Sequence, residues 1–234
     1  MKKIFFGVLM GFTIFLGGCL DDEGDYSLSD IYLGFGELED AVSHKILMDN
    51  GAYLVPVAYE YPWELNDWRD GAQNGDRVLV NFTILDEETN NEGDTIAYYV
   101  KINSVQEILL KGIIDLTTEI EDSIGNDPII VTDAWVTNNL LNLKIKYWGR
   151  NEIHLINLVM QPGDLNADNQ PIELELRHND NNDEQLIAYT SYVSFKLDTL
   201  KIAGLDSVLF RVTCTDYDGE TYDFEYVYNY GENN

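Results

Sequence analysis

The chain is poor in cysteine, histidine and basic residues. Of its 234 residues, two are cysteine, three are histidine and 14 are lysine or arginine, against 42 aspartate and glutamate residues. The formal net charge is therefore −28 at pH 7. Because affinity for nucleic-acid phosphates depends on cationic side chains, this composition disfavours nucleic acid as a partner. It equally disfavours a protein face that lies on anionic lipid.

The motifs of common catalytic sites are absent from the sequence. His44, His154 and His178 have no metal-ligand spacing such as His-Glu-x-x-His, and there is no Gly-x-Ser-x-Gly elbow or phosphate-binding glycine loop. His178 ends an apolar strand face and His154 lies on a neighbouring strand, which favours packing roles for both rings. Glycosidase chemistry depends on the spatial separation of two carboxylates, which the sequence does not define. We expect no enzymatic activity and no cofactor.

One long apolar run is present, at the N-terminus. Two lysines precede an apolar stretch over 4–18, which ends in Leu16-Gly17-Gly18-Cys19. A basic start, a short apolar core and small residues before a cleavage site are typical of a secretory signal. The run is shorter than the roughly 20 apolar residues of a membrane-spanning helix. Leu-Gly-Gly-Cys resembles the bacterial lipobox, whose cysteine is lipidated. We therefore predict a lipoprotein signal peptide over residues 1–18 and lipidation of Cys19; an ordinary signal peptide with an incidental cysteine is the alternative.

The second cysteine, Cys214, has no intramolecular partner if Cys19 carries lipid, although an exported protein is free to form disulfides. It alternates with Val208, Phe210 and Val212 along one face of a predicted strand. We expect a buried, apolar thiol. The alternative of a reactive thiol is disfavoured because no cationic residue adjoins it in sequence.

Residues 19–30 form a predicted acidic tether, and a two-residue hydrophobic period begins at Ile31, which indicates half-buried strands. Asp49-Asn50-Gly51 lies between two apolar runs and predicts a hairpin. A turn that ends at Arg77 precedes the alternating stretch Val78–Ile84. Several short strands of this kind fit a small closed barrel of the oligonucleotide/oligosaccharide-binding (OB) type. We assign residues 31–115 to this barrel.

The second half of the chain contains seven further alternating stretches separated by polar turns. Residues 104–120 have mixed periodicity, and the turn-forming residues at 122–128 mark the predicted boundary. Regularly spaced strands with polar turns are typical of an antiparallel β-sandwich, which we place over residues 122–230. The predicted fold class is all-β, with a small N-terminal OB-like barrel followed by a C-terminal antiparallel β-sandwich.

Aromatic residues are concentrated before the Gly75 turn, in a polar stretch that includes Tyr61, Trp63 and Trp68. Exposed rings on a loop stack on sugars or form the centre of a protein interface, so these three are candidate ligand contacts. The alternative is that the rings fold over one open end of the barrel, since large aromatic side chains are mostly buried.

A weak calcium-loop pattern occurs at Asp164, Asn166, Asp168 and Glu175, which match oxygen-ligand positions 1, 3, 5 and 12. The sixth position, normally glycine, is Asn169, and the last ligand falls within a predicted strand. Acid-rich turns arise by chance in so acidic a chain, and we expect no metal.

Several stretches resemble the NigD-like family of bacterial outer-membrane lipoproteins. Besides the lipobox, they are Gly75-Asp76-Arg77-Val78-Leu79-Val80-Asn81-Phe82-Thr83, Tyr99-Val100-Lys101-Ile102-Asn103-Ser104, Gly125-Asn126-Asp127-Pro128, Leu141-Asn142-Leu143, His154-Leu155-Ile156-Asn157-Leu158-Val159 and Glu175-Leu176-Arg177-His178-Asn179. The resemblance implies an N-terminal OB-like domain and a C-terminal β-sandwich, and it brings no catalytic residues. Asp21, Asp22 and Glu23 resemble the export signal that carries such lipoproteins to the outer face of the outer membrane.

The expected function is binding by a lipid-anchored outer-membrane protein that faces the cell exterior. The resemblance implies a presumed role in bacteriocin immunity, and the acidic surface suits sequestration of a cationic peptide. The alternative is a glycan-binding accessory protein of a polysaccharide-utilisation system, with Trp63 and Trp68 as stacking surfaces. An unrecognised hydrolase is a third reading, which requires a cleft with a carboxylate pair. The membrane is an expected partner only through the N-terminal lipid.

Overall fold

The computed structural model describes residues 31–61 and 65–231. The predicted signal peptide, Cys19, the acidic tether with Asp21, Asp22 and Glu23, and Trp63 lie outside the described residues. Within the described part, no helix is long and apolar enough to cross a membrane.

Five strands form a closed barrel in the order β1-β2-β3-β5-β4. The elements of this half are β1 (Ile31–Asp40), β2 (Lys45–Met48), β3 (Tyr53–Tyr59), the short helix α1 (Asn66–Gly71), β4 (Arg77–Thr89) and β5 (Thr95–Glu107). The β2–β3 hairpin turns at Asp49-Asn50-Gly51 as predicted, with Gly51 at a φ of 86°. Alternation along β4 buries Val78, Val80 and Phe82 in the barrel core.

Eight strands form the second sheet, in the order β13-β12-β10-β9-β6-β11-β8-β7. They are β6 (Leu109–Asp115), β7 (Ile130–Thr137), β8 (Leu140–Gly149), β9 (Leu155–Met160), β10 (Ile172–Asn179), β11 (Ile187–Lys196), β12 (Ser207–Thr215) and β13 (Thr221–Asn229). The short helix α2 (Glu121–Ile124) and a 3₁₀ turn (Asp198–Leu200) lie in its connections. The sheet folds over one apolar core, which contains Leu143, Leu174, Phe195 and Phe210. The predicted all-β fold class is confirmed.

β6 corrects the predicted end of the barrel. Residues 109–115, which the sequence analysis assigned to the barrel, pair with β11 and β9 in the second sheet, and both pairings are parallel. The chain leaves the barrel at Ile108, which is buried and donates its N–H to the carbonyl of Arg77. β6 has apolar residues in adjacent pairs, Leu109-Leu110 and Ile113-Ile114, so it lacks the alternation that would have identified it as a strand. The sandwich is otherwise mainly antiparallel; β10 and β12 are also parallel.

Candidate functional site

One mouth of the barrel opens into a cavity of about 300 Å³. We call it the mouth pocket. It is lined by Tyr32, Leu33, Gly34, Phe35, Met48, Asp49, Asn50, Phe82, Ile84 and Tyr98. Most of these side chains are apolar or aromatic, with a few polar groups at the rim, which is the composition of small-molecule and peptide pockets.

Glycine in β1 shapes the floor of the mouth pocket. A Cβ at Gly34 would lie 2.5 Å from the Cε of Met48, so the methionine occupies the space that a side chain there would fill. On the same face of β1, the Tyr32 ring stacks on Phe82 with centroids 5.7 Å apart. Glycine thus lets the ends of β1 and β2 approach closely, and the pocket floor is Met48 and Phe82.

The part of the β4–β5 hairpin beside the mouth pocket, residues 78–100, has only acidic charges. Residues 78–100 contain no lysine, arginine or histidine. The acids of this stretch are Asp86, Glu87, Glu88, Glu92 and Asp94. Glu87 lies directly across the ladder from Tyr98 of the pocket lining. Glu88 accepts a hydrogen bond from the Tyr99 hydroxyl at 3.1 Å, which raises the pKa of Tyr99.

A buried arginine connects the pocket rim to the sandwich. Arg77, which is 1% exposed, donates to both carboxylate oxygens of Asp49, with Nη2 to Oδ2 at 2.7 Å. The same Nη2 donates to Oδ1 of Asn142 in β8 at 3.0 Å. The Ser194 hydroxyl donates to the same Asn142 oxygen at 2.7 Å. Asp49 is therefore neutralised and held in place, and the barrel and the sandwich share one hydrogen-bond network.

A cluster of three rings, Phe35, Trp135 and Tyr192, lies at the junction of the two domains. We call it the junction cluster. The Phe35 ring centroid lies 5.4 Å from Trp135 and 5.1 Å from Tyr192, and all three residues are half-buried. Phe35 also lines the mouth pocket, so the two features share this residue.

The predicted aromatic contacts do not form one exposed platform. Tyr61 is 45% exposed, whereas Trp68 is only 8% exposed and packs in the barrel core. Trp68 therefore follows the alternative, in which the ring covers an open end of the barrel. It lies 5.2 Å from the ring of His44, whose two ring nitrogens contact the Tyr59 hydroxyl and the Arg69 carbonyl. The amphipathic α1 turn, which places Trp68 inward, was not predicted.

The predicted calcium ligands do not converge. Asn166 Oδ1 accepts the backbone N–H of Asp168 at 3.1 Å, and Glu175 binds Arg177, with Nε to Oε2 at 2.7 Å. Among the described residues no group of three histidine, cysteine or acidic side chains could hold a metal ion. Asp164 lines a separate cavity of about 390 Å³ without a second acidic ligand from the predicted set.

His154 and His178 pack against each other at one end of the sandwich, as expected for structural histidines. Their rings are joined by a 2.8 Å contact between His154 Nδ1 and His178 Nε2. His154 Nε2 lies 3.3 Å from Asp183, and His178 Nδ1 lies 2.9 Å from the Pro128 carbonyl. Every ring nitrogen therefore has a protein partner, which leaves none for a substrate.

Cys214 is buried, as predicted. Its Sγ lies 3.7 Å from the Ile129 carbonyl, and burial, with a smaller effect from Asp216, raises the pKa of the thiol to about 12. A thiol in this environment is not nucleophilic at neutral pH.

The residues that form the mouth pocket and the junction cluster were missed by the sequence analysis. Tyr32 and Phe35 are three apart in one strand, so they point to opposite faces, and neither face suggests a shared site. Trp135 and Tyr192 come from distant parts of the chain. The available signal was the unusual Gly34 and Gly36 within an apolar strand, which marks close backbone approach.

Comparison with known proteins supports this description of the fold. A model of the family "NigD-like C-terminal beta sandwich domain" matches residues 112–226. No curated protein matches the chain. Among solved structures, a "Putative TOXIN related protein" from Parabacteroides distasonis is 27% identical, with a TM-score of 0.66, over 86% of this chain and 94% of that chain.

Two more distant structures share the fold. A "NigD-like immunity protein" from Bacteroides caccae is 19% identical, with a TM-score of 0.60, over 86% of this chain and 98% of that one. A "Putative lipoprotein" from Bacteroides fragilis is 13% identical, with a TM-score of 0.59, over 87% of this chain and all of that one (100%).

Proposed function

Since the chain belongs to the NigD-like family through its C-terminal sandwich, we propose that it is a non-enzymatic lipoprotein that sequesters a cationic peptide and thereby gives immunity to a bacteriocin. The mouth pocket and its acidic hairpin form the binding site. The protein acts at the outer face of the outer membrane, where lipid on Cys19 anchors it and Asp21, Asp22 and Glu23 direct its export.

The observation that carries this proposal is an apolar pocket beside a stretch of the β4–β5 hairpin, residues 78–100, whose charges are all negative. Tyr32, Phe82 and Tyr98 supply ring surface, and residues 78–100 carry no basic side chain to neutralise their five acids. A cationic amphipathic peptide has the complementary pattern, with apolar side chains for the pocket and lysines for the hairpin. Complementary charge raises the association rate and selects the partner.

The similar structures agree with this role. The names of the structures from Parabacteroides distasonis, Bacteroides caccae and Bacteroides fragilis refer to a toxin, to immunity and to a lipoprotein. The family is not known for enzymes, and each histidine nitrogen at the sandwich end is already occupied by a protein partner.

The test is binding of a basic amphipathic peptide to the mature domain at about 0.05 M and about 0.5 M salt. We expect tight binding at low salt and weak binding at high salt. The variant with Glu87→Gln and Glu88→Gln should bind less tightly, whereas a variant with Glu119→Gln and Glu121→Gln, which removes equal charge from a distant exposed surface, should bind as the wild type does. Equal losses of peptide affinity in both variants would mean that net charge alone drives binding, and would contradict a defined site.

A glycan ligand is the second candidate, favoured by the half-buried Trp135 of the junction cluster and the exposed Tyr61. Aromatic faces of this kind stack on sugar rings. This candidate predicts salt-insensitive affinity for an oligosaccharide that is lost in Trp135→Ala or Tyr61→Ala. The buried position of Trp68 removes one of the stacking surfaces on which the prediction depended.

A further inference from the structure

β6 is shorter than β11 and leaves part of β11 without a neighbour. β8 pairs with β11 along its whole length, from Ile187 to Lys196. On the opposite edge, β6 pairs only with Val193–Lys196. Ile187–Tyr192 therefore has a free edge, since no other strand in the described part of the chain pairs with it.

β9 has a similar unpaired segment on its side of β6. β6 pairs with Leu158–Met160, whereas Leu155–Asn157 pairs only with β10. Lys111 of β6 occupies the base of the resulting gap, where its Nζ donates to the Ile156 carbonyl at 3.0 Å and to Asn157 Oδ1 at 2.6 Å. We call the gap above Lys111, between the two unpaired segments, the seam.

Above Lys111, the seam is lined by exposed apolar and aromatic side chains. Ile187 is 52% exposed and Ile153 is 76% exposed, and Tyr189 and Leu155 are also exposed. The free edge of β11 reads Ile-Ala-Tyr-Thr-Ser-Tyr, with no lysine, proline or bulge over its length. Exposed edges are usually blocked by one of these features, because a free strand edge pairs readily with another chain.

The loops around the seam are acidic. They carry Glu152, Asp180, Asp183 and Glu184 against a single arginine, Arg150, which pairs with Glu184. A second copy of a chain with net charge −28 would be repelled from this surface, whereas a basic polypeptide would be attracted.

We infer that the seam binds an extended, basic segment of a partner polypeptide by strand addition. The segment continues the line of β6 and pairs its backbone with Ile187–Tyr192, and its apolar side chains pack against Ile187 and Leu155. Strand addition takes affinity from main-chain hydrogen bonds and selectivity from alternate side chains. Tyr192 ends the free edge and contacts Phe35, which also lines the mouth pocket. The inference rests on the proposed function in its choice of a cationic partner.

The experiment uses the mature chain and a synthetic peptide of about ten alternating valine and lysine residues. Hydrogen exchange is measured on the protein with and without peptide, and affinity by calorimetry. We expect slower exchange at Ile187–Tyr192. We also expect roughly tenfold or greater loss of affinity when every second peptide nitrogen is methylated, because that removes the donors along one edge.

Thr190→Lys is the matching protein variant, since it places a lysine on the free edge, and Thr199→Lys is its control at an exposed position in the 3₁₀ turn. We expect weaker binding in the first and wild-type binding in the second. Peptide binding with exchange slowed only around the mouth pocket, or undiminished by N-methylation, would overturn strand addition and leave the proposed function intact. No binding of the peptide to the wild type at low salt would overturn both.

Discussion

The two histidines at the end of the sandwich lie between two protein acceptors. His178 Nδ1 faces the Pro128 carbonyl and His154 Nε2 faces the Asp183 carboxylate, so both outer nitrogens must donate. The contact between the rings, 2.8 Å from His154 Nδ1 to His178 Nε2, joins them into one buried cluster. Gly149 makes room for it, because a Cβ there would lie 2.7 Å from His154 Nε2.

Protonation of His178 should make stability fall in acid. Burial lowers the pKa of His178, so the unfolded chain binds more protons there than the folded protein and stability decreases as the pH drops below about 6.5. We expect a lower urea midpoint at pH 5 than at pH 7.5. His178→Gln should cost about 1–3 kcal/mol at pH 7.5 and show a smaller decrease between the two pH values. An unchanged pH dependence in the variant would contradict this assignment.

Asp183 gives the stability of the protein a second pH dependence, at lower pH than His178. Desolvation acts to raise its pKa, but hydrogen bonds from the Arg150 N–H, the His154 ring and the Asn151 N–H together lower it to about 2. Its contribution to stability is therefore present above about pH 4 and is lost as the pH falls towards 2. The destabilisation caused by Asp183→Asn, measured by chemical unfolding, should be largest near neutral pH and should disappear near pH 2. A destabilisation by Asp183→Asn that stays constant across that pH range would contradict a lowered pKa for Asp183 in the folded protein.

Cys214 should be unreactive in the folded state. With its thiol pKa raised to about 12 by burial, the thiolate is scarce at pH 8. A thiol-specific reagent should label Cys214 only at the rate of unfolding, which denaturant would accelerate. Rapid labelling in native buffer would show that the β12 face opens locally.

At the scale of the element, two glycines in β1 have different roles although they are two residues apart. A Cβ at Gly34 would meet only the flexible end of Met48, at 2.5 Å. At Gly36 it would lie 2.5 Å from the Ile46 side chain and 2.7 Å from the Leu47 carbonyl, which belongs to the β2 backbone. Gly36 therefore sets the approach of two strands, and Gly34 sets the depth of the mouth pocket.

Alanine at the two positions should separate binding from stability. Gly36→Ala should destabilise the protein by about 1–3 kcal/mol, because β2 must move. Gly34→Ala should have a smaller effect on the urea midpoint but should weaken binding of the basic peptide, since Met48 is pushed into the pocket. The reverse order of the two effects would show that the pocket is not the binding surface.

At the scale of the whole molecule, Arg77 joins the two domains, because it forms a buried ion pair with Asp49 inside the barrel and donates a hydrogen bond to Asn142 of the sandwich. Removal of one partner from such a pair leaves an uncompensated buried charge, so Arg77→Ala should cost about 3–5 kcal/mol. The exposed pair between Arg150 and Glu184 provides the control, and Arg150→Ala should cost less than about 1 kcal/mol.

Loss of the Arg77 network should also separate the unfolding of the two domains. Its contact with Asn142 is the polar link between the barrel and the sandwich described above. The wild type should unfold in one cooperative transition, followed by fluorescence and circular dichroism together, and Arg77→Ala should show two. Coincident transitions in the variant would mean that the junction cluster alone is sufficient for coupling.

Local pattern determined the parts of the fold that depend on neighbouring residues. Alternation along β4 predicted the buried face of that strand. Asp49-Asn50-Gly51 predicted the hairpin between β2 and β3, because the turn conformation requires these residue types. The family motifs around Arg77 and Asn142 were visible in the sequence, but nothing local indicated that the two side chains meet across the domain junction.

The tertiary structure decided the features that depend on contacts between residues far apart in the sequence. Pairing on both edges placed β6 in the second sheet, although its sequence does not alternate, and the barrel core drew Trp68 inward from a polar stretch. The mouth pocket, the junction cluster and the seam are made from side chains and strand edges that are far apart in sequence. The sequence alone therefore determined the strands, the charge and the predicted anchor, because these depend on residue type and spacing. Only the folded chain decided which surfaces stay open, because exposure depends on how far each strand extends beside its neighbour.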